Sequence, residues 1–189
     1  MVRDINATAM TFYQKLGYVE EPVKVLSRRL DGRPHAPVQK TIESTVTYLE
    51  MLAPPATPPV PVPAEKLALL RCHSPSIAFY RYLFDEVGRK WQWTARKLMS
   101  DEALSEIIED DLIEIYVLYV NGEPAGYVEI DRRSMPEIQI AYFGIIEHFI
   151  GRRLGPYMLD WAIRRVWSYE PDRLILDTCT LDHPKALSM

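Results

Sequence analysis

The run Ile113 to Val120 (IEIYVLYV), followed by Asn121-Gly122-Glu123-Pro124 and then Ala125 to Ile130 (AGYVEI), constrains the fold more than any other stretch. β-Branched and aromatic side chains fit a pleated sheet better than a helix. Asn-Gly supplies two residues that tolerate positive φ, as a tight turn between right-twisted strands requires. An antiparallel hairpin is predicted. Glu137 to Ile145 (EIQIAYFGI) follows as a strand. A glycine-bearing loop then leads to a helix over 156–167, with Tyr157, Met158, Leu159, Ala162 and Val166 on one side. Pro156 suits its first turn, where a missing N–H leaves no bond unmade. Arg173 to Cys179 (RLILDTC) is the last predicted strand and ends near Asp182-His183-Pro184.

Upstream, Ala53 to Pro63 (APPATPPVPVP) holds six prolines in eleven residues, so it cannot donate most of a hydrogen-bond ladder and is expected to be an extended connector. Before it, Ser44 to Leu52 reads as one strand; after it, Lys66 to Arg71 is either a short strand or a helix turn. Apolar residues at spacings of three and four from Ser76 to Val87 predict a helix, with Ser74 or Ser76 as cap and Gly88 as stop. Ser100-Asp101-Glu102 signals another, leading into Ala103, Leu104, Ile107 and Ile108. The order of strand, helices, hairpin, strand, helix and strand specifies an α/β (α+β) sandwich around a mixed sheet.

Composition narrows the function classes. The 189 residues are 48% apolar and 25% charged, which excludes collagen, coiled coil and full disorder. A net charge of −4 without long like-charge blocks argues against a general nucleic-acid or anionic-membrane binder. Cys72 and Cys179 lack CxxC spacing and are expected to be free thiols in a reducing cytosol. The first twenty residues contain Asp4, Lys15 and Glu20 and lack the apolar core of a signal peptide, so a cytoplasmic location is expected. His35, His73 and His148 are isolated, and no metal-ligand spacing is present.

The chemically informative unit is strand, loop and helix: Tyr142 to Ile145, Glu147 to Phe149, then Ile150-Gly151-Arg152-Arg153-Leu154-Gly155-Pro156. A short glycine-bearing loop entering a helix presents unpaired N–H groups and the positive end of the helix dipole to an anion. Two arginines add charge suited to a pyrophosphate. A packed strand-to-helix turn closed by Gly155, with solvated arginines, accounts for the same residues. GxGxxG and the Walker pattern are both missing.

In order and spacing, YVLYVNGEPAGYVEID, EIQIAYFGII, HFIGRRLG, PYMLDWAI and RLILDTCTLDHPKAL resemble the GNAT family of acetyl-coenzyme A-dependent N-acetyltransferases over about residues 76 to 189. The resemblance implies a mixed, largely antiparallel central sheet with helices on both faces, acetyl-CoA as co-substrate, no metal, and a small-molecule or peptide amine as acceptor. It implies that Phe143 and Ile145 meet the pantetheine arm through their backbones. Ile150, Gly151, Arg152, Arg153, Leu154 and Gly155 would surround the pyrophosphate, with Ile150 where the family has Gln or Arg, and Arg153 where it has glycine. His183 falls where the family often has an Asn near the pantetheine; a turn-capping role fits it equally. The usual strand carboxylate falls on Gln139. Glu137, on the same face, and Glu129, on the neighbouring strand, are the candidate general bases; solvent-facing strand carboxylates are the alternative. Trp91, Trp93, Tyr80 and Tyr82 lie in the region of the acceptor wall and are mostly expected in the core.

The family's tail resembles the front of this chain instead. Asn6, Ala9, Phe12, Tyr13, Lys15, Gly17 and Tyr18 match it, with Lys24 to Leu30 as a candidate closing strand and Tyr13 as the acid toward the departing thiolate. The expected organisation is a tail-like segment at 1–33, a linker with a first strand and the proline-rich stretch at 34–66, and an acetyltransferase-like domain at 67–189 without its own final helix and strands. It resembles a piece of a tandem, with the tail docking within one chain or exchanged in a homodimer. A catalytically silent coenzyme-binding or protein-interaction module is the second reading.

Overall fold

A computed structural model describes residues 43–188, and its backbone forms a six-stranded sheet flanked by three helices. The strands are β1 (Val46–Met51), β2 (Leu67–Cys72), β3 (Ile113–Val120), β4 (Glu123–Asp131), β5 (Glu137–Ile145) and β6 (Arg173–Cys179). The helices are α1 (Ile77–Gly88), α2 (Asp101–Ile108) and α3 (Leu154–Trp167). The sheet runs β1-β6-β5-β4-β3-β2; β5 and β6 are parallel and every other pair is antiparallel.

The expected hairpin is β3–β4. Asn121 and Gly122 take positive φ at its turn, 53° and 89°. Lys66–Arg71 resolves as strand β2. Ser76, rather than Ser74, caps α1 by accepting from the Phe79 N–H at 3.2 Å, and Ser100 caps α2 through the Ala103 N–H at 3.2 Å. Helix α3 begins at Leu154, so Pro156 stands third in its first turn.

Two buried clusters hold these layers together. Tyr80, Leu83 and Phe84 of α1 and Leu104 and Ile108 of α2 pack on Ile115, Val117 and Tyr127. On the other face, Ala162 and Val166 of α3 pack on Tyr116, Val128, Ile130, Ile138, Ile140 and Leu174.

Strand β1, expected only as a strand preceding the connector, pairs antiparallel with β6, Val46 opposite Cys179 and Met51 opposite Leu174. It lies at the edge opposite β2, five strand spacings or about 24 Å away. The proline-rich connector closes that gap. It passes α3, where the Val60 N–H donates to Asp160 Oδ2 at 3.1 Å and Arg164 donates to the Thr57 carbonyl at 2.7 Å. Residues poor in N–H donors lose little by lying on a helix surface instead of in a ladder.

Candidate active site

The site arises where the sheet comes apart. β5 and β6 pair only over Glu137–Gln139 opposite Arg173–Ile175. Beyond that they diverge, and a cleft of about 810 Å³ opens between Ile140–Ile145 on one side and Leu176–Cys179 on the other. The register against β4 shifts at the same level: Glu129 faces Tyr142 while Ile130 faces Ile140, leaving Ala141 as the extra residue of a bulge. A bulge leaves its extra residue outside the ladder and bends the strand. Gly144 lets α1 come close to this strand, because a Cβ there would lie 2.2 Å from Val87 Cγ1.

The loop before α3 closes one end of the cleft. Gly151 has φ 91° and Arg153 φ 62°. Arg153 occupies the N-cap position, and no side chain caps the helix. Left-handed residues ahead of an uncapped helix leave main-chain N–H groups free to receive an anion. A Cβ at Gly151 would find no atom within 4 Å, so the space beside the loop is open. Ile150, Gly151, Arg153, Leu154 and Gly155 line the cleft, as do Phe143, Ile145 and His183. Arg152 turns away: its guanidinium lies 3.4 Å from Glu65 of the connector and over the Phe149 ring at 4.8 Å.

The two candidate bases lie elsewhere. Glu129 is fully buried, 2.6 Å from Arg96 Nη2, and accepts from the Tyr80 hydroxyl. Burial, then Glu129, raises the Tyr80 hydroxyl far above the ordinary tyrosine range. Glu137 pairs with Arg173 at the closed end of the β5–β6 pair. Neither lines the cleft. Tyr13, with the rest of the tail and Lys24–Leu30, lies outside the described residues.

Two carboxylates, Asp177 and Asp182, line the cleft, and the sequence does not single out Asp177. Asp177 accepts from Gln139 Nε2 at 3.4 Å, so the glutamine at the expected carboxylate position orients a carboxylate on the next strand. Crowding by surrounding protein, and then Asp182, push the Asp177 carboxyl above its ordinary value near 3.8. Asp182 is committed to the Trp93 indole at 3.1 Å, the Thr178 hydroxyl at 2.8 Å and the Cys179 N–H at 2.8 Å. The alternation of β6, with Leu174 and Leu176 on the α3 face, is the signal that puts Asp177 on the opposite side.

Trp91, Trp93 and Tyr142 form an aromatic wall of the cleft, and the His183 ring stands edge-on to Trp91 with centroids 5.2 Å apart. His183 also caps its own turn, Nδ1 accepting from the Lys185 N–H at 3.1 Å, while its ring lines the cleft. Tyr80 belongs to the core and Tyr82 to the surface. Among the described residues no His, Cys, Asp and Glu group has metal-holding geometry, both cysteines are free, and no helix is long and apolar enough to cross a membrane.

A mixed sheet splayed at its one parallel pair, beside an uncapped helix N-terminus, is the GNAT-like α/β fold. Among solved structures the chain is similar to a tandem GNAT protein from the clavulanic acid biosynthesis pathway, at 15% identity and TM-score 0.51, over 95% of this chain and 52% of that one. It is also similar to a conserved protein of unknown function from Staphylococcus epidermidis ATCC 12228, at 24% identity and TM-score 0.50, over 66% of this chain and 48% of that one. A third is an aminoglycoside acetyltransferase from an uncultured soil metagenomic sample, in complex with sisomicin, at 9% identity and TM-score 0.50, over 65% of this chain and 82% of that one. The chain thus spans about half the length of the first two. No family model and no curated protein matches it.

Proposed function

We propose that this chain transfers an acetyl group from acetyl-CoA to a primary amine by direct attack. The observation that carries the reading is the coincidence, in one cleft, of the β5–β6 splay, the Ala141 bulge and the uncapped α3 N-terminus. The N–H groups around Gly151, Leu154 and Gly155 hold the pyrophosphate, and Arg153 and Lys185, both lining the cleft, add positive charge. Phe143 and Ile145 offer the unpaired edge of β5 to the pantetheine arm. Acetyl-CoA supplies an activated thioester carbonyl, and bulged main chain near Ala141 is suited to stabilising charge on its oxygen.

The amine nitrogen bonds to the carbonyl carbon as the carbon–sulfur bond breaks. Asp177 collects the amine proton, its raised affinity suiting it to general-base work. Glu129 instead holds Arg96, whose guanidinium lies 5.2 Å from the Tyr142 ring, and so positions that wall of the acceptor side. The thiolate takes its proton from Tyr13 if the tail docks. Docking within one chain is supported by β1, which already closes the β6 edge through the connector; exchange between two copies is the alternative for residues before it. The aromatic wall with Asp177 suits a small cationic amine.

The test is calorimetry with acetyl-CoA beside a radiolabelled transfer screen over amines. Binding with turnover supports the enzyme. Binding without turnover favours the silent module, a reading drawn from Glu129 and Glu137 lying outside the cleft and Arg153 standing in it. Absence of binding rejects the enzyme and the coenzyme-binding module alike.

A further inference from the structure

A second charged centre lies near the far end of α3, about 16 Å along the helix from Leu154 at ~1.5 Å per residue, and the proposed reaction does not use it. Glu114 of β3 is fully buried and accepts from the hydroxyls of Tyr116, at 2.9 Å, and Tyr169. Three guanidinium groups, from two elements and the loop after β4, converge on its Oε1. Arg71 Nη1 of β2 is 3.4 Å away, Arg132 Nη2, after β4, is 3.3 Å away, and Arg165 Nη2 of α3 is 3.4 Å away. Among the described residues none of the three pairs with any other carboxylate.

The cluster therefore carries three positive charges against one negative. Its donors also outnumber its acceptors: three guanidiniums present about fifteen N–H bonds. Against them stand the Glu114 carboxylate, the Tyr116 and Tyr169 hydroxyls and the Asp111 carbonyl. The Nε atoms of Arg71 and Arg132 are buried with no acceptor at all. Two of the three cations are not free to spread apart. The Arg132 and Arg165 guanidiniums both lie over the Tyr169 ring, 4.3 and 4.6 Å from its centre, and Arg132 donates to the Asp111 carbonyl at 3.2 Å. They are not sealed off either, since the Arg71, Arg132 and Arg165 side chains remain 27%, 18% and 32% exposed. A single buried carboxylate needs one such partner; two more, pinned in place and reachable from solvent, make a receptor for a second anion.

We propose that Arg71, Arg132 and Arg165 form a binding site for a phosphate-type dianion, separate from the cleft. The charge surplus equals that of a dianion, and forked guanidiniums match the oxygens of a tetrahedral group. Glu114 and the two tyrosines hold the arginines rather than contact the ligand.

Inorganic phosphate, titrated calorimetrically into the full chain at constant ionic strength, tests this against phosphate bound at the α3 N-terminus. Saturable binding retained in Arg153→Gln and weakened at least tenfold in Arg71→Gln is expected. Absence of saturable binding, or binding lost in Arg153→Gln and kept in Arg71→Gln, overturns the site. Should Arg71→Gln fail to fold, wild-type crystals soaked in selenate decide: an anomalous peak among Arg71, Arg132 and Arg165 supports it, and peaks only elsewhere overturn it. Neither outcome depends on acetyl transfer.

Discussion

Arg153 carries a left-handed backbone, φ 62°, at the entrance to α3. A side chain in that conformation costs about 1 kcal/mol. Arg153→Gly is expected to raise the unfolding free energy by about that amount in urea titrations, while weakening acetyl-CoA binding through the lost charge. Glu129 presents the opposite case. It is buried with Arg96 and Tyr80, and Glu129→Ala leaves a cation without its counter-charge. A loss of about 3–5 kcal/mol is expected, read by chemical denaturation.

Under the proposed function, Asp177 is the residue whose titration bears on both rate and stability. Folding raises its carboxyl above the ordinary value near 3.8, so the folded state keeps a proton that the unfolded chain has released. Stability contributed by this group falls as pH rises from the ordinary value to the raised one, and the deficit persists above it. Asp177→Asn is therefore expected to melt higher than wild type at neutral pH but not at pH 3. The same variant should lower kcat about 100-fold or more and remove the acidic limb of the pH–rate profile. An unchanged limb would assign proton collection to another group.

At the scale of elements, β1 and the connector behave as one device. β1 covers the edge of β6, and the connector is tied to α3 through Asp160 and Arg164. Removing residues 1–33 leaves both in place, whereas removing residues 1–52 bares β6. The longer deletion is expected to aggregate, as an uncovered strand edge invites pairing with other chains; light scattering of the two variants checks this. If deleting 1–33 alters neither the melting temperature nor acetyl-CoA binding, the tail does not dock on this site.

These elements were legible to different degrees. The hairpin, both serine caps and the strand around Glu137 follow from neighbours in sequence, since turn chemistry and periodicity act over a few residues. The partner of β1 does not, because nothing in VTYLEM specifies which distant edge it meets. Glu129 and Asp177 show the same limit. Both are strand carboxylates, but one is walled in by α1 and Arg96 while the other opens into the splay.

For the whole molecule, ligand binding should be felt on the two arms of the cleft. Acetyl-CoA at 100 times its Kd is expected to stabilise the folded state by about 2.7 kcal/mol. Amide exchange should slow most in residues 140–155 and 176–188, where bound ligand suppresses local opening as well as global unfolding. Protection confined to the cluster around Glu114 would place the nucleotide there instead.

The sequence by itself determined most of the elements, their order and the loop that enters α3, leaving Lys66–Arg71 open between strand and helix turn, because local propensity, capping and turn geometry are settled within a few residues. Tertiary structure alone decided that β1 closes the sheet from the opposite end of the chain, that Asp177 rather than Glu129 or Glu137 faces the cleft, and that Arg71, Arg132 and Arg165 meet on Glu114. Those outcomes depend on which surfaces are buried together, and side chains remote in sequence acquire their charge environment only once the sheet has closed.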